Sequence, residues 1–344
     1  MHAETTGKAL PDRRLKLIAG IRPHLFLLIA LAVLVVAMSL IAPNFLTRGN
    51  LMDILRVNSI KGIMSIGMTL VLLTGGIDLS VGSVFAFSGA VAASLIVGSY
   101  SDYPTSQLLK MPVAAAVLTA LAAGGLLGLI NGAVITRLKV EPFIATLAMM
   151  TFARGLTYLY TGGYPINFDV LPEAFAWFGK GYVGLLPAPT FLFLLVAAIM
   201  ICVLRYTTFG RSLYAIGGNR EAAHLSGLSV KNGILLVYTI TGVLSGLAGI
   251  VMTSRVAAAA ASAGESYEMD VIASVVLGGT LQSGGKGSVW GTIIGIFIFG
   301  VIENGMNILG MPTYYKLIIK GLVIIAALGY RVIGSASVRA GRRA

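Results

Sequence analysis

Asp78 and Ser80 stand among glycines, between two strongly apolar stretches of sequence. A carboxylate and a hydroxyl at this spacing can exchange hydrogen bonds with a polar solute. An ionised carboxylate at bilayer depth costs from about 2.5 to more than 10 kcal/mol, so such groups face a protein interior or a water-filled path. The segment is therefore either a polar element of a path inside the membrane or a surface loop. Both interpretations place Asp78 at the start of the next helix, as its cap.

Further polar side chains interrupt the apolar stretches and are candidates for the same path. They are Asn58, Asn131, Glu303, Asn304 and Asn307. A serine or threonine within a helix usually bonds to its own backbone, so amides and carboxylates are stronger candidates. Lys61 either pairs with an acidic group or extends to the membrane surface, and we assign it no role.

The residues that could perform catalysis do not form a recognisable set. His2 and His24 precede or begin the first apolar stretch, His224 lies in a polar loop, and Cys202 is the single cysteine. A phosphate-binding Walker A loop needs Gly-x4-Gly-Lys-Ser/Thr. The nearest match, 283–288, lacks the first glycine and is expected to form a turn. We predict that this chain is not an enzyme and carries no cofactor or metal of its own.

The composition indicates which elements hold these residues in place. The chain has 57% hydrophobic residues, 11% charged residues and a mean hydropathy of +0.90, whereas an ordinary soluble domain carries about 25% charged residues. We therefore expect an all-α, polytopic bundle of transmembrane helices. The net charge of +12 comes from basic residues between apolar stretches and at the two ends. This distribution favours a cytoplasmic positive bias over nucleic-acid binding.

A transmembrane helix needs about 20 apolar residues, and ten such segments can be distinguished. They lie near 24–42, 58–74, 79–98, 111–136, 142–160, 188–204, 231–253, 269–283, 288–310 and 313–330. The first is expected to be a retained helix, because it is long for a secretory signal and no cleavage pattern follows it. The segments 58–74 and 269–283 are short and glycine-rich enough to be partial spans, so the predicted count is eight to ten, with ten favoured.

The basic residues predict the orientation. They concentrate in the tails 1–23 and 331–344, in the connection at 137–139 and in the loop 205–230, all of which belong in the cytoplasm by the positive-inside rule. Ten spans satisfy all four placements. The predicted transmembrane domain is 24–330, with both termini cytoplasmic.

The loop 205–230 contains a short predicted helix at 219–226. Asn219 is a good N-cap, Glu221 lies near the positive end of the helix dipole, and Gly227 ends the helix. A compact helix outside the membrane is a candidate docking surface; the alternative is a solvated loop with an incidental helical turn. The candidate docking residues are Arg211, Asn219, Arg220, Glu221, Ala222, Ala223, Leu225 and Gly227.

These residues resemble a known family. Glu221-Ala222-Ala223-x3-Gly227 is similar to the start of the coupling-loop motif of binding-protein-dependent ABC importer permeases, without the later Leu-Pro portion. Other segments, in fixed order over about 44–330, resemble the ribose/xylose/arabinose-type sugar permeases: 75–83, 131–132, 142–147, 154–155, 214–219, 264–270, 276–280 and 304–307. Two departures, Glu141 and the alanines 257–261, bear on substrate choice.

The resemblance implies a permease subunit in a bacterial inner membrane that moves a monosaccharide. Its implied partners are a second permease copy, most simply an identical one, a periplasmic sugar-binding protein and an ATP-binding subunit that holds ATP and magnesium. The loop 205–230 would then be the coupling loop. Two alternatives remain: an ABC permease for branched-chain amino acids, and a secondary sugar transporter that needs no ATPase.

Overall fold

The computed structural model describes the backbone of residues 13–98, 110–323 and 325, with side chains from residue 24 onward. These residues are mostly helical. The helices are α1 (Arg13–Ile41), α2 (Arg48–Leu73), α3 (Val81–Val97), α4 (Val113–Arg137), α5 (Pro142–Thr161), α6 (Glu173–Lys180), α7 (Ala188–Tyr206), α8 (Thr208–Gly218), α9 (Arg220–Leu225), α10 (Val230–Val256), α11 (Tyr267–Leu277), α12 (Val289–Ile308) and α13 (313–323). Two short antiparallel ladders pair β1 (Ile166–Asn167) with β4 (Ala258–Ala259), and β2 (Tyr182–Val183) with β3 (Leu186–Pro187).

Six of the described helices are long and apolar enough to cross a membrane. They are α1, through its segment His24–Ile41, and α2, α4, α7, α10 and α12. The apolar helix α3 is shorter, and α11 has only 11 residues. The prediction of a polytopic helical bundle is confirmed, whereas the count of ten spans is not established by helix length.

Several predicted boundaries were wrong. The span predicted at 58–74 is neither short nor partial, because α2 begins at Arg48 and has 26 residues. The span predicted at 269–283 is helical only to Leu277. The apolar segment His24–Ile41 agrees with the predicted first span at 24–42, although the helix itself begins at Arg13, within the predicted tail 1–23. The tail 331–344 lies outside the described residues.

The centre of the bundle is formed by α2 and α10. Every residue of α2 from Asn58 to Leu73 is buried, and α10 packs against α2, α3 and α4. The contact between α10 and α4 is close because glycines face each other: a Cβ at Gly242 would overlap with the carbonyl oxygen of Gly124, and one at Gly128 with that of Tyr238. Small residues allow helix backbones to approach in this way.

The bundle has two distinct ends, which we name by the short helices that they carry. The α9 end holds α8 and α9, between the end of α7 and the start of α10. The α6 end holds α6 and both ladders, where α10 finishes at Val256 next to β4. Two non-helical segments, 74–80 and 257–266, extend from these ends into the bundle, as the contacts below show.

Candidate functional site

The predicted helix in the loop 205–230 is present as α9. The Oδ1 atom of Asn219 accepts a hydrogen bond from the backbone N–H of Ala222 at 3.0 Å, which is an N-cap. Gly227 has a φ of 81°, a left-handed conformation that favours glycine and ends the helix. The sequence also missed a helix here, α8, which is capped by Thr207.

One side of α9 is fixed to the protein and the other is open. Ala223 is buried, whereas Leu225 is 81% exposed. The other six candidate docking residues are also exposed: Arg211, Asn219, Arg220, Glu221, Ala222 and Gly227. An exposed leucine and an exposed glutamate on one short capped helix, at one end of the bundle, provide apolar and charged contacts for a partner. That α9 docks a partner stays a prediction.

Arg220 points towards the bundle. Its guanidinium donates a hydrogen bond to the carbonyl oxygen of Thr74, at 3.1 Å, in the segment after α2. The prediction that it also offers charge to a partner is untested. Residues Thr74, Arg220 and Glu141 help to line a cavity of about 250 Å³ at this end.

A second connection runs from α8 to the loop 278–288. The Tyr214 hydroxyl donates to the carbonyl of Gly287 at 3.0 Å, and burial raises the pKa of Tyr214, so the phenol is a neutral donor. The Gly285 N–H in turn donates to the Leu73 carbonyl at 2.9 Å. A Cβ at Gly217 would overlap with that same carbonyl oxygen. The segments after α2 and α11 thus meet α8 and α9 at one junction.

Asp78, Ser80 and Asn131 form one buried hydrogen-bonded cluster. The Asp78 Oδ1 atom accepts from the Ser80 N–H at 2.9 Å and from the Ser80 hydroxyl at 2.6 Å, and Asn131 donates to the Ser80 oxygen at 2.9 Å. Each side chain is at most 2% exposed. The prediction that Asp78 caps the next helix was wrong: the N-cap position of α3 is Ser80, and the carboxylate closes the turn before it. In this conformation the three residues support the segment 74–80 and face no open space.

The segment 74–80 lies inside the bundle. The Ile77 carbonyl accepts from the Tyr238 hydroxyl of α10 at 3.1 Å and from the Thr146 hydroxyl of α5 at 3.3 Å. Non-helical backbone at membrane depth is tolerated where protein satisfies it. This observation supports the interpretation of 74–80 as a polar element inside the bundle.

The other four path candidates lie together between α2 and α12. Asn58, Glu303, Asn304 and Asn307 all line one cavity of about 70 Å³, which is room for a few water molecules only. Their amides already have partners: Asn304 exchanges hydrogen bonds with Asn50 at 2.7 and 3.0 Å, and Asn58 donates to the Ile54 carbonyl at 2.7 Å. Asn307 accepts from Lys316 at 2.5 Å.

Lys61 belongs to a group of four charges, which we call the ion cluster: Lys61 and Asp270 are buried, and Glu303 and Lys320 are partly exposed. Its ammonium lies 2.7 Å from Asp270 of α11 and 2.6 Å from Glu303 of α12, and Lys61 is 3% exposed. Lys320 of α13 lies 3.0 and 3.5 Å from the same two carboxylates. The cluster joins four helices and contains two positive and two negative charges. Sequence reasoning missed Asp270 and Lys320, although ionisable residues inside apolar segments were a usable signal.

Comparisons with known proteins agree with these features. The profile of the family described as "Branched-chain amino acid transport system / permease component" matches residues 50–328. The ribose import permease protein RbsC of Escherichia coli K12 is 45% identical over 303 residues, 88% of this chain and 91% of the relative. The Bacillus subtilis RbsC is 45% identical over 90% of this chain and 92% of the relative. The D-allose transport system permease protein AlsC of Escherichia coli K12 is 37% identical over 87% of this chain and 88% of the relative. No solved structure matches.

Proposed function

The chain belongs to the family described as the branched-chain amino acid transport system / permease component, and from this premise we propose that it is the membrane-spanning permease of an ATP-driven importer for a monosaccharide. The names of its relatives support a sugar, since they are import permeases for ribose and a transport permease for allose. ATP and magnesium bind to a separate ATP-binding subunit, which performs the hydrolysis. A periplasmic binding protein delivers the sugar.

The observation that carries this proposal is α9. It is a short helix with a capped start, a buried Ala223 and an 81% exposed Leu225. A helix of this kind has no evident role in a self-contained transporter. It fits a docking site for the ATP-binding subunit, in which Glu221 and Leu225 provide charge and apolar contact.

The orientation follows from the same proposal. The α9 end faces the cytoplasm, and the α6 end faces outward. Counting α3, α5, α11 and α13 as full or partial crossings beside the six long helices gives ten, with both termini on the cytoplasmic side. A second copy of this chain completes the permease, because symmetric pairing is the commonest form of assembly.

The mechanism uses the junction at the α9 end. When the ATP-binding subunit changes state, α9 moves with it. Arg220 and Gly217 pass the displacement to the segment after α2, which leads directly into Asp78, Ser80 and α3. A ligand shifts a two-state equilibrium only through contacts that differ between the states. We propose that the hydrogen bond from Arg220 to the Thr74 carbonyl is one contact that changes between the states.

The ion cluster is relevant to the alternative of a secondary transporter, which requires paired charges in the membrane. Paired charges are present, but each lysine of the ion cluster already forms an ion pair with a carboxylate of the same chain. A coupling site for a proton or ion would need a group that is free to exchange it. The cluster is therefore better explained as an anchor for α11 and α13.

Co-purification tests the proposal. We expect the wild-type permease, extracted in mild detergent, to bring an ATPase with it, and we expect a sugar-loaded binding protein to stimulate hydrolysis. Glu221→Lys and Leu225→Asp should release the ATPase. Val170→Asp, a change at an 84% exposed residue at the α6 end, should retain it. Uptake of ribose, allose and leucine into vesicles then identifies the substrate class.

Uptake that persists without ATP, together with wild-type protein that carries no ATPase, would favour the secondary transporter instead. ATP-dependent uptake of leucine but of neither sugar would favour the amino acid permease.

A further inference from the structure

Three charged residues that the ion cluster does not use lie on an open side of the bundle. Arg154 of α5 is half-buried, Glu265 is exposed, and Glu268 of α11 is half-buried. The charges of the two carboxylates act on the guanidinium, yet no ion pair within 4 Å joins them in the part of the chain that the structure describes. We call these residues the charged face.

The charged face lies deep in the bundle. At a rise of 1.5 Å per residue, Arg154 stands about 18 Å from the start of α5 at Pro142 and about 10 Å from its end at Thr161. The Glu268 carboxylate lies beside Gly82, since a Cβ on that glycine would be 2.9 Å from its Oε2 atom. Gly82 is about 22 Å from the end of α3 at Val97. With α3 and α5 counted as crossings of a hydrocarbon core about 30 Å thick, these groups lie at membrane depth.

The backbone next to the charged face is not helical. The segment 257–266 runs from β4 at the α6 end to Gly264, which packs against Gly82. Arg154 donates hydrogen bonds to two carbonyls of this segment, those of Ala261 and, at 2.8 Å, Ala263. Irregular backbone at membrane depth occurs only where protein buries it or where it lines a water-filled cavity. Ser262 and Glu265 are exposed, so burial by this chain does not account for them.

The ion cluster fixes the orientation of the charged face. Lys61 pairs with Asp270 and lies 4.9 Å from the centre of the Tyr267 ring. Tyr267 and Asp270 are three residues apart and share one side of α11. That side is tied to α2, so Glu268 is turned towards α3 and α5, where its carboxylate meets Gly82.

From these observations we infer that Arg154, Glu265 and Glu268 line the hydrated route along which the solute crosses the membrane. Charged groups exposed to lipid at this depth carry a large penalty, whereas water removes it. A carboxylate accepts hydrogen bonds from neighbouring hydroxyls, and a guanidinium donates to hydroxyl oxygens. A hydroxyl-rich solute can therefore exchange its water contacts for contacts with this face. The identity of the solute rests on the proposed function; the hydration of the face does not.

Cysteine labelling tests the hydration. Cys202 is replaced by serine, and Glu265→Cys and Ser262→Cys are introduced separately into the assembled transporter in membrane vesicles, with and without ATP. Ser262→Cys changes only the hydroxyl to a thiol, so folding is preserved. A hydrophilic, membrane-impermeant thiol reagent attacks the thiolate, which forms in water and not in lipid. The matched control is Phe152→Cys. Phe152 is 58% exposed on α5 and, at a rotation of about 200° around the helix axis, lies on the side of α5 opposite to Arg154.

We expect both test cysteines to react at least about tenfold faster than Phe152→Cys in one of the two states, because only a hydrated thiol ionises readily. Equal rates at all three positions, or no reaction at 262 and 265 in either state, would overturn the inference. If the labelling test fails but the wild type still takes up sugar, the proposed function stands. Labelling as expected, in vesicles that import leucine but no sugar, would support the hydrated route and would refute the proposal that the solute is a sugar.

A second measurement separates contact with the solute from a structural role. Glu268→Gln should lower the rate of sugar uptake about tenfold or more, as expected for the loss of charge-assisted hydrogen bonds, while the ATPase activity stimulated by the binding protein is retained. Glu268→Asp should restore part of the uptake. Equal loss of uptake and ATPase activity in both variants would assign Glu268 to packing and contradict its place on the route.

Discussion

Lys61 compensates two carboxylates at once from the fully buried part of α2, which makes it the least replaceable charge among the described residues. Its ammonium is within 2.7 Å of both Asp270 and Glu303. Lys320 lies farther from both and is more exposed. Removal of Lys61 would leave the buried Asp270 and the partly exposed Glu303 sharing one lysine.

We predict that Lys61→Met destabilises the permease by about 3 kcal/mol, the lower end of the cost of breaking a buried ion pair. The melting temperature of the purified protein in detergent measures this loss. The control Lys180→Met removes an exposed lysine of α6 and should leave the melting temperature unchanged.

The double variant Lys61→Met with Glu303→Gln restores the charge balance and should recover part of the loss. Identical melting of the single variant and the Lys180→Met control would show that the ion cluster contributes no stability.

At the scale of elements, the contact between α8 and the turn after α2 depends on Gly217, which has no side chain. A Cβ at Gly217 would overlap with the Leu73 carbonyl oxygen and the Gly285 nitrogen, whereas a Cβ at the next residue, Gly218, would have no atom within 4 Å. The two neighbouring glycines therefore provide a matched pair.

We predict that Gly217→Ala forces α8 away from this turn, at a cost of about 1–3 kcal/mol from overpacking, and lowers the amount of sugar imported per ATP hydrolysed. Gly218→Ala should leave both quantities unchanged. Uptake and ATPase assays on the same vesicles provide the ratio. An unchanged ratio in Gly217→Ala would mean that the junction at the α9 end does not transmit motion.

For the whole molecule, the proposed orientation places α9 and β1 on opposite sides of the membrane. In vesicles that contain a chain without Cys202 and no ATP-binding subunit, we predict that Leu225→Cys is labelled by an impermeant reagent in inside-out vesicles only. Val170→Cys should be labelled in right-side-out vesicles only, since it follows β1 at the α6 end. Both residues are more than 80% exposed, so access within the protein does not limit the reaction. Labelling of both cysteines from one side would refute the orientation.

The sequence predicted the class of fold and the capped helix α9, because hydropathy and N-cap residues act locally. It missed the true extent of α2, since Arg48, Asp53 and Arg56 at its start lower the local hydropathy while the helix continues. It also grouped the seven path candidates together, whereas the structure divides them between the Asp78 cluster and the cavity beside α12. Which side chains meet depends on helix packing, and one sequence does not encode that in any local pattern.

The ion cluster has an electrical consequence. Its two lysines and two carboxylates sum to zero charge. A single charge carried across the full membrane voltage involves about 2.3 kcal/mol per 100 mV. If these four charges move together during a transport cycle, the ion cluster as a whole performs no net work against the voltage. The membrane voltage then neither drives nor opposes the displacement of this cluster.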